Sequence, residues 1–243
     1  DSRQFYKELL IGTAPPNKNQ LQEVRHHFIH NLSITDNYNA GIYENDAIKI
    51  ITEIHKKKDS ILVVGGSGLY VDAICKGFDN IPPISINTRS KLKHEFNIKG
   101  LKWLQKEIQE IEPKDYKNID YNNPQRLLRK LEIFRETGKP SNYFKTKKSK
   151  KRSFKIIKIG LEINRQELYK RINKRVDDMI DMGLIEEVRS LLPYKNLNAL
   201  QTVGYKEIFD FFEKKIDLNI AIENIKKNSR RFAKRQLTWF KRD

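Results

Sequence analysis

The residues best able to do chemistry open the sequence. Asp1, Ser2, Arg3 and Gln4 put a carboxylate, a hydroxyl, a guanidinium and a carboxamide side by side, with Ile11-Gly12-Thr13-Ala14 a short way on. A carboxylate can take a proton from an amine, and a carboxamide can pair with the edge of a nucleobase. Taken alone, an aspartate at this position is more often a frayed, solvated residue with no such task. Gly65-Gly66-Ser67-Gly68 is a second candidate. Glycine lets a ligand approach the backbone closely, and exposed amides at a helix start favour anions. No Lys-Ser/Thr follows, so this is not a Walker A loop, and a plain tight turn would read the same way.

Three further clusters carry charge. Arg171 and Arg175 lie four apart and share a helix face, where two planar guanidinium forks could clamp a pyrophosphate. Pairing with Asp177 or Asp178 would make them ordinary surface arginines. Gln125, Arg126, Leu127, Leu128 and Arg129 open another helix with cations at the end where they oppose its dipole. Phosphate contact would explain them, as would indifference at an exposed site. His26, His27 and His30 have no acidic or cysteine partner at ligand spacing, so they read as structural, and no metal ligand is assigned.

These side chains need elements to hold them. Residues 60–64 (Ser-Ile-Leu-Val-Val) form an apolar, β-branched run closed by glycines, which predicts a strand covered on both faces. Helices are expected over 43–57, with Ala47, Ile48, Ile51 and Ile54 on one stripe, and over 69–76 directly after the glycine turn. Residues 154–163 alternate as a second strand, and a helix over 165–182 ends where Gly183 suits a cap. Further helices are expected over 184–192, 204–214 and 219–241. This order predicts an α/β fold with a parallel sheet. Between the strands, Pro82-Pro83 breaks the chain, a charged stretch without a strand runs to 122, and Asn123-Pro124 opens a helix over 125–137 closed by Gly138. The expected organisation is an α/β core of 1–81 and 151–243 carrying a helical insertion over 82–150.

Composition narrows the classes. The chain has 243 residues, and 38% of them are hydrophobic, too many for a disordered polypeptide. No apolar run approaches the ~20 residues of a membrane-spanning helix. Cys75 is the single cysteine, which excludes a disulfide framework and a cysteine-built zinc site and favours a reducing, cytoplasmic setting. The formal charge is +17, and the run over 145–152 supplies only six of those charges. An excess that survives removal of its densest cluster suits a polyanionic partner, most plausibly nucleic acid, although a solvated lysine-rich surface would account for it equally.

Taken in order, the short motifs form a series: Asp1-Ser-x-Gln, Ile11-Gly-Thr-Ala, His26-His27-x-Ile29, Val64-Gly-Gly-Ser-Gly-Leu-Tyr70, Asn123-Pro-Gln-Arg126, Gly183-x-x-x-Glu187-Val188, Val203-Gly-Tyr205 and Lys234-Arg-Gln-Leu-Thr-Trp239. From Asp1 to Trp239 this series resembles the bacterial tRNA dimethylallyltransferase family. The resemblance implies a P-loop NTPase-like parallel-sheet core with a helical insertion. It implies transfer of a dimethylallyl group from its diphosphate to N6 of adenosine 37 beside the anticodon, with Mg2+ assisting. Asp1 matches the family's general base and Arg175 its diphosphate-binding arginine, with Arg171 a weaker neighbour. Ser67 stands where many members have Thr and keeps the hydroxyl near the transferring group. The stretches matching tRNA contacts are Asp1, Ser2, Arg3 and Gln4; Gln125, Arg126, Leu127, Leu128 and Arg129; and Gln201, Thr202, Val203, Gly204, Tyr205 and Lys206. Arg89 joins them from the insertion.

Family members carry a Gly-rich Walker-type loop upstream of Asp-Ser-x-Gln, and this sequence begins after it, so the resemblance implies that the polypeptide alone is inactive. The implied partners are a tRNA anticodon stem-loop and dimethylallyl diphosphate, with no membrane and a monomeric chain. Two other readings stay open: a dimethylallyltransferase acting on free AMP, and a non-catalytic protein that binds anticodon stem-loops. The positive surplus and the long insertion favour a polynucleotide over a mononucleotide.

Overall fold

The computed structural model describes residues 1–113, 119–146 and 148–242. Parts of the charged stretch before Asn122 and of the basic run, Lys147 included, lie outside them. In chain order the α-helices are α1 (Lys18–Glu23), α2 (Ala40–His55), α3 (Gly68–Cys75), α4 (Ile86–Ile111), α5 (Pro124–Thr137), α6 (Arg165–Asp181), α7 (Leu184–Ser190), α8 (Tyr205–Phe212) and α9 (Leu218–Phe240). The chain forms two compact units. One is Asp1–Lys76 with Arg152–Asp243, and the other is Gly77–Lys151.

The expected parallel sheet is absent among the described residues. Among these residues helix makes up 57% and strand 1%, and the only β pairing described is an isolated bridge between Tyr6 and Leu32. The two runs read as strands have no regular structure, and most of their apolar side chains face solvent: Val64 is 76% exposed and Leu161 93%. Alternation and β-branching report only that a segment would suit a pleated, covered position. A strand also needs neighbours to complete its hydrogen-bond ladder, and neither run has one here. The α/β, P-loop-like expectation is therefore corrected to a helical fold.

Most of the expected helices form, for local reasons. Asn17 and Gln20 build a capping box on α1. Asn39 accepts the amides of Gly41 and Ile42 at the start of α2, and Asn164 accepts that of Gln166 at the start of α6. In the first unit Val176 and Met179 of α6, Leu184 and Val188 of α7, Tyr205 and Ile208 of α8 and Ile225 of α9 bury one face each. They enclose Tyr6 and Leu9, so the N-terminal segment is anchored in the core of the helices that follow it by more than 150 residues. Arg152, the last cation of the basic run, is also internal. It donates to Glu44 Oε1 (3.0 Å) and to the carbonyls of Ala73 (2.6 Å) and Ile74 (2.7 Å), tying α2 to α3.

In the second unit α4 packs on α5 around Leu92, Leu104, Ile108, Leu127 and Leu131. Gly100, at φ 73°, interrupts α4, a backbone geometry that glycine adopts without penalty. Asn123 caps α5, and Gly138, left-handed at φ 70°, ends it. The carboxylate of Glu112 is buried. It accepts the amide and hydroxyl of Ser141 (both 2.7 Å) and pairs with Lys130.

Candidate functional site

The glycine turn becomes a site through what crowds it. Ser67 immediately precedes α3 at its N-terminal cap, and its Oγ lies 3.1 Å from Ser2 Oγ. A Cβ on Gly66 would fall 2.2 Å from Gln236 Nε2, and one on Gly68 would fall 2.5 Å from the Trp239 ring. Neither glycine has a positive φ, so close approach by α9, not backbone conformation, demands them here. Gln236 Nε2 also donates to the Gly66 carbonyl (2.9 Å). Asp1 sits against the same turn, its backbone nitrogen 3.9 Å from where a Gly65 Cβ would stand. Its Oδ1 accepts the Arg3 amide (2.9 Å), an Asx turn that fixes the carboxylate while leaving Oδ2 open.

The Asp1–Gln4 segment is held from two sides. The Phe5 ring packs within 6 Å of Phe28, Tyr38, Tyr43 and Tyr70. Burial, with the neighbouring Tyr70 and Cys75, pushes the Tyr43 phenol up to about 12. Burial lowers the pKa of the Arg3 guanidinium, partly offset by Tyr6 and Tyr70. On the other side Gln4 Nε2 donates to the carbonyls of Thr13 (3.1 Å) and Ala14 (2.8 Å).

Glu187 underlies that loop. It accepts the amides of Leu10 (2.9 Å), Ile11 (2.7 Å) and Gly12 (3.2 Å), and the Tyr205 hydroxyl (2.6 Å). Tyr205 is fully buried, and burial together with the Glu187 charge raises its phenol far above the ordinary value. Of its neighbours in the Gln201–Lys206 stretch, Gly204 is buried at φ 97°, Thr202 and Val203 are half-buried, and Gln201 and Lys206 face solvent.

Arg175 is exposed on α6 and makes no hydrogen bond or ion pair among the described residues, while desolvation by its surroundings lowers its pKa. A guanidinium without a carboxylate is available to an anion. Arg171 is instead paired with Glu167 (2.9 Å), one turn back on α6. The described contacts reach from Asp1 to the glycine turn and α9, and from α9 to α6 where Arg230 donates to Asn173 (2.6 Å). A direct contact between Asp1 and Arg175 is not among them. A cavity of about 90 Å³ beside the turn, lined by Asp72, Lys76, Trp239 and Arg242, is far smaller than a ligand pocket of roughly 300 Å³.

In the second unit Arg129 (3.2 Å) and Arg89 (3.8 Å) share Glu132, and Arg126 lies 4.0 Å from Asp120. Gln125 is exposed, Leu128 is half-buried, and Leu127 is in the core. The Arg126–Asp120 pair is exposed, and a pair of this kind contributes little and can exchange its carboxylate for a phosphate. The described residues include no cluster of three His, Cys, Asp or Glu side chains able to hold a metal.

Gln236, Trp239 and Glu187 were present in the sequence motifs, but no spacing rule gave them a place at the site. Gln236 bonds to Gly66 across 170 positions and Glu187 to Leu10 across 177, so only the glycines and the acidic residue after Gly183 hinted at a close approach.

Comparison with known proteins finds relatives along the whole chain. Residues 4–243 match the family model described as IPP transferase. The chain is 53% identical over its whole length to the tRNA dimethylallyltransferase of Christiangramia forsetii, of which it covers 80%, and 46% identical to tRNA dimethylallyltransferase 2 of Parabacteroides distasonis, of which it covers 81%. Among solved structures it resembles the tRNA isopentenylpyrophosphate transferase of Bacillus halodurans, with a TM-score of 0.68, 34% identity, and coverage of 100% of this chain and 77% of that one. It also resembles a eukaryotic dimethylallyltransferase acting on tRNA, with a TM-score of 0.75, 25% identity, and coverage of 98% and 61%. With a family match over almost its whole length and half its residues shared with a relative, the chain belongs to the IPP transferase family.

Proposed function

We propose that the chain transfers a dimethylallyl group from dimethylallyl diphosphate to N6 of adenosine 37 in a tRNA anticodon loop. The observation that carries this reading is the Asp1-Ser2 pair held against the Ser67 turn, a proton acceptor beside a hydroxyl-bearing helix start. An adenine N6 amine is a weak nucleophile because its lone pair is delocalised into the ring. Asp1 Oδ2 takes one N6 proton as N6 bonds to C1 of the prenyl group. The C1–O bond breaks, and its electron pair leaves with diphosphate. Arg175, with no carboxylate of its own, meets the charge that develops on the leaving oxygens. The Ser67 hydroxyl is placed to donate to the same group.

Mg2+ would supply further charge neutralisation on the diphosphate. Among the described residues no three His, Cys, Asp or Glu side chains gather into a site for it, so we assign it to the substrate phosphates and derive no step through a protein-held ion. The paired arginines of α5, with Arg89, Gln201 and Lys206, would bind RNA phosphates. A flipped adenosine would reach Asp1 at a cost of a few kcal/mol in lost stacking.

The test supplies isotopically labelled dimethylallyl diphosphate to the protein in its full natural length. The acceptors are an anticodon stem-loop, the same stem-loop with guanosine at position 37, and AMP. Label on the adenosine-37 RNA alone is the expected result. Preferential labelling of AMP, or stem-loop binding with no transfer, would overturn it.

A further inference from the structure

Glu187 accepts four hydrogen bonds, so its carboxylate is saturated and has no lone pair oriented toward a substrate. What it does must be read from what it holds. Three of its donors are consecutive amides of the Leu10–Gly12 loop, and the fourth is the buried Tyr205 hydroxyl. Gly12 is required there, because a Cβ would stand 2.5 Å from the Tyr205 oxygen. The peptide group joining Ile11 to Gly12 gives its N–H to Glu187 and takes the Ala14 N–H on its carbonyl (3.1 Å). Thr13 is locked as well, its hydroxyl donating to the Leu9 carbonyl (2.6 Å).

Ala14 sits at φ 45°, a left-handed geometry that is unfavourable for a residue with a Cβ and persists only where surroundings impose it. The carbonyls of Thr13 and Ala14 then receive both hydrogens of the Gln4 amide. With both hydrogens spent, Gln4 Oε1 has no partner among the described residues and is not sealed from solvent. A carboxamide free to turn can present a donor or an acceptor. Gln4, held in this way, presents only an acceptor.

We propose that Glu187 is a positioning residue for base recognition, clamping the Leu10–Ala14 turn so that Gln4 offers its oxygen to an N–H donor on a nucleobase of the bound RNA. The ligand rests on the functional reading above; the coupling between Glu187 and Gln4 does not.

The experiment is a double-mutant cycle of Glu187→Gln and Gln4→Ala, read as affinity for a fluorescent anticodon stem-loop, so that it needs no turnover. Replacing Glu187 by Gln puts an NH2 against a donor and should weaken binding about tenfold, the effect of one charge-assisted hydrogen bond. In the Gln4→Ala background the same change should cost less than about twofold. A full penalty in both backgrounds would show a merely structural role and overturn the proposal. So would a Gln4→Ala chain that binds RNA as tightly as the parent.

The RNA-free protein gives an independent readout. The Gln4 side-chain NH2 pair should exchange slowly with solvent and become fast in Glu187→Gln, while unchanged exchange would overturn the coupling. If that pattern holds but the parent binds no RNA, the functional reading and the ligand named here fail together, and the coupling stands. Should Glu187→Gln not fold, Tyr205→Phe removes one of the four donors and should shift the same signal in the same direction. A Gln4 signal left unmoved by it would overturn the proposal.

Discussion

The hydroxyl oxygens of Ser2 and Ser67 lie 3.1 Å apart across 65 positions of sequence. That contact joins the acidic start of the chain to the turn before α3, and Gln236 closes the turn at the Gly66 carbonyl. Polar groups drawn from three distant stretches therefore meet over a few ångströms, each held by a bond that another stretch supplies.

Asp1→Asn should lower single-turnover transfer by about 10²–10⁴-fold, the range for losing a general base. Stem-loop affinity should change little, because an Asn oxygen can still accept the Arg3 amide that orients the residue. Rapid-quench transfer and anisotropy on the same preparation separate the two effects, and a large loss of affinity would contradict the assigned role.

Arg175→Ala should raise the dimethylallyl diphosphate concentration needed for half-maximal rate by about tenfold or more, as expected for one charged contact to phosphate. Stability should shift by less than about 0.5 kcal/mol, since no described partner is orphaned. Arg171→Ala, which only breaks an exposed pair with Glu167, should leave donor dependence unchanged. Equal effects at the two arginines would remove the distinction drawn from their partners.

Gly68→Ala should destabilise the chain by about 1–3 kcal/mol, because the new methyl meets the rigid Trp239 ring, which must move as a whole to make space. Gly66→Ala meets only the mobile end of Gln236 and should cost about 1 kcal/mol, the worth of its hydrogen bond to the Gly66 carbonyl. Urea denaturation of both variants checks the order, and the reverse order would mean that α9 packs differently on the turn.

The second unit should weaken in acid through Glu112. Burial alone would raise this carboxyl's pKa, but Lys130 and the Ser141 hydroxyl and amide outweigh it and hold the value below 4.5. The folded form then binds the proton less readily than the unfolded one. The resulting stability is present above the ordinary glutamate range and disappears as pH falls below 4.5 through the lower folded value. Unfolding followed at Trp103 in a Trp239→Phe background should show that loss, and Glu112→Gln should flatten it. Lys130→Ala, which strands a buried charge, should cost roughly 3–5 kcal/mol at neutral pH.

Helix ends were legible in the sequence because their signals are local. Asn123-Pro124 and Gly138 bracket α5 as read, and Gly183 follows α6. Residues 60–64 and 154–163 misled because a strand is a relation between segments, and composition reports only one side of it. The charged stretch after Pro83 concealed α4, whose buried positions Leu92, Leu104 and Ile108 are sparse and whose run is broken at Gly100. At the site, Gly66 and Gly68 were read as room for a ligand, whereas Gln236 and Trp239 occupy that room. Leu127 and Tyr205, grouped with the RNA contacts, point into the protein. Glu187 was visible only as a letter in a motif until its four donors were known.

The clasp of Gln236 and Trp239 on the glycine turn has a consequence for biosynthesis. A ribosome releases Asp1 and Ser67 long before it has made α9, so the nascent chain carries an unclosed turn through most of its synthesis. The arrangement is completed only when the last long helix emerges, and a stalled or prematurely terminated product would display the acid without its setting.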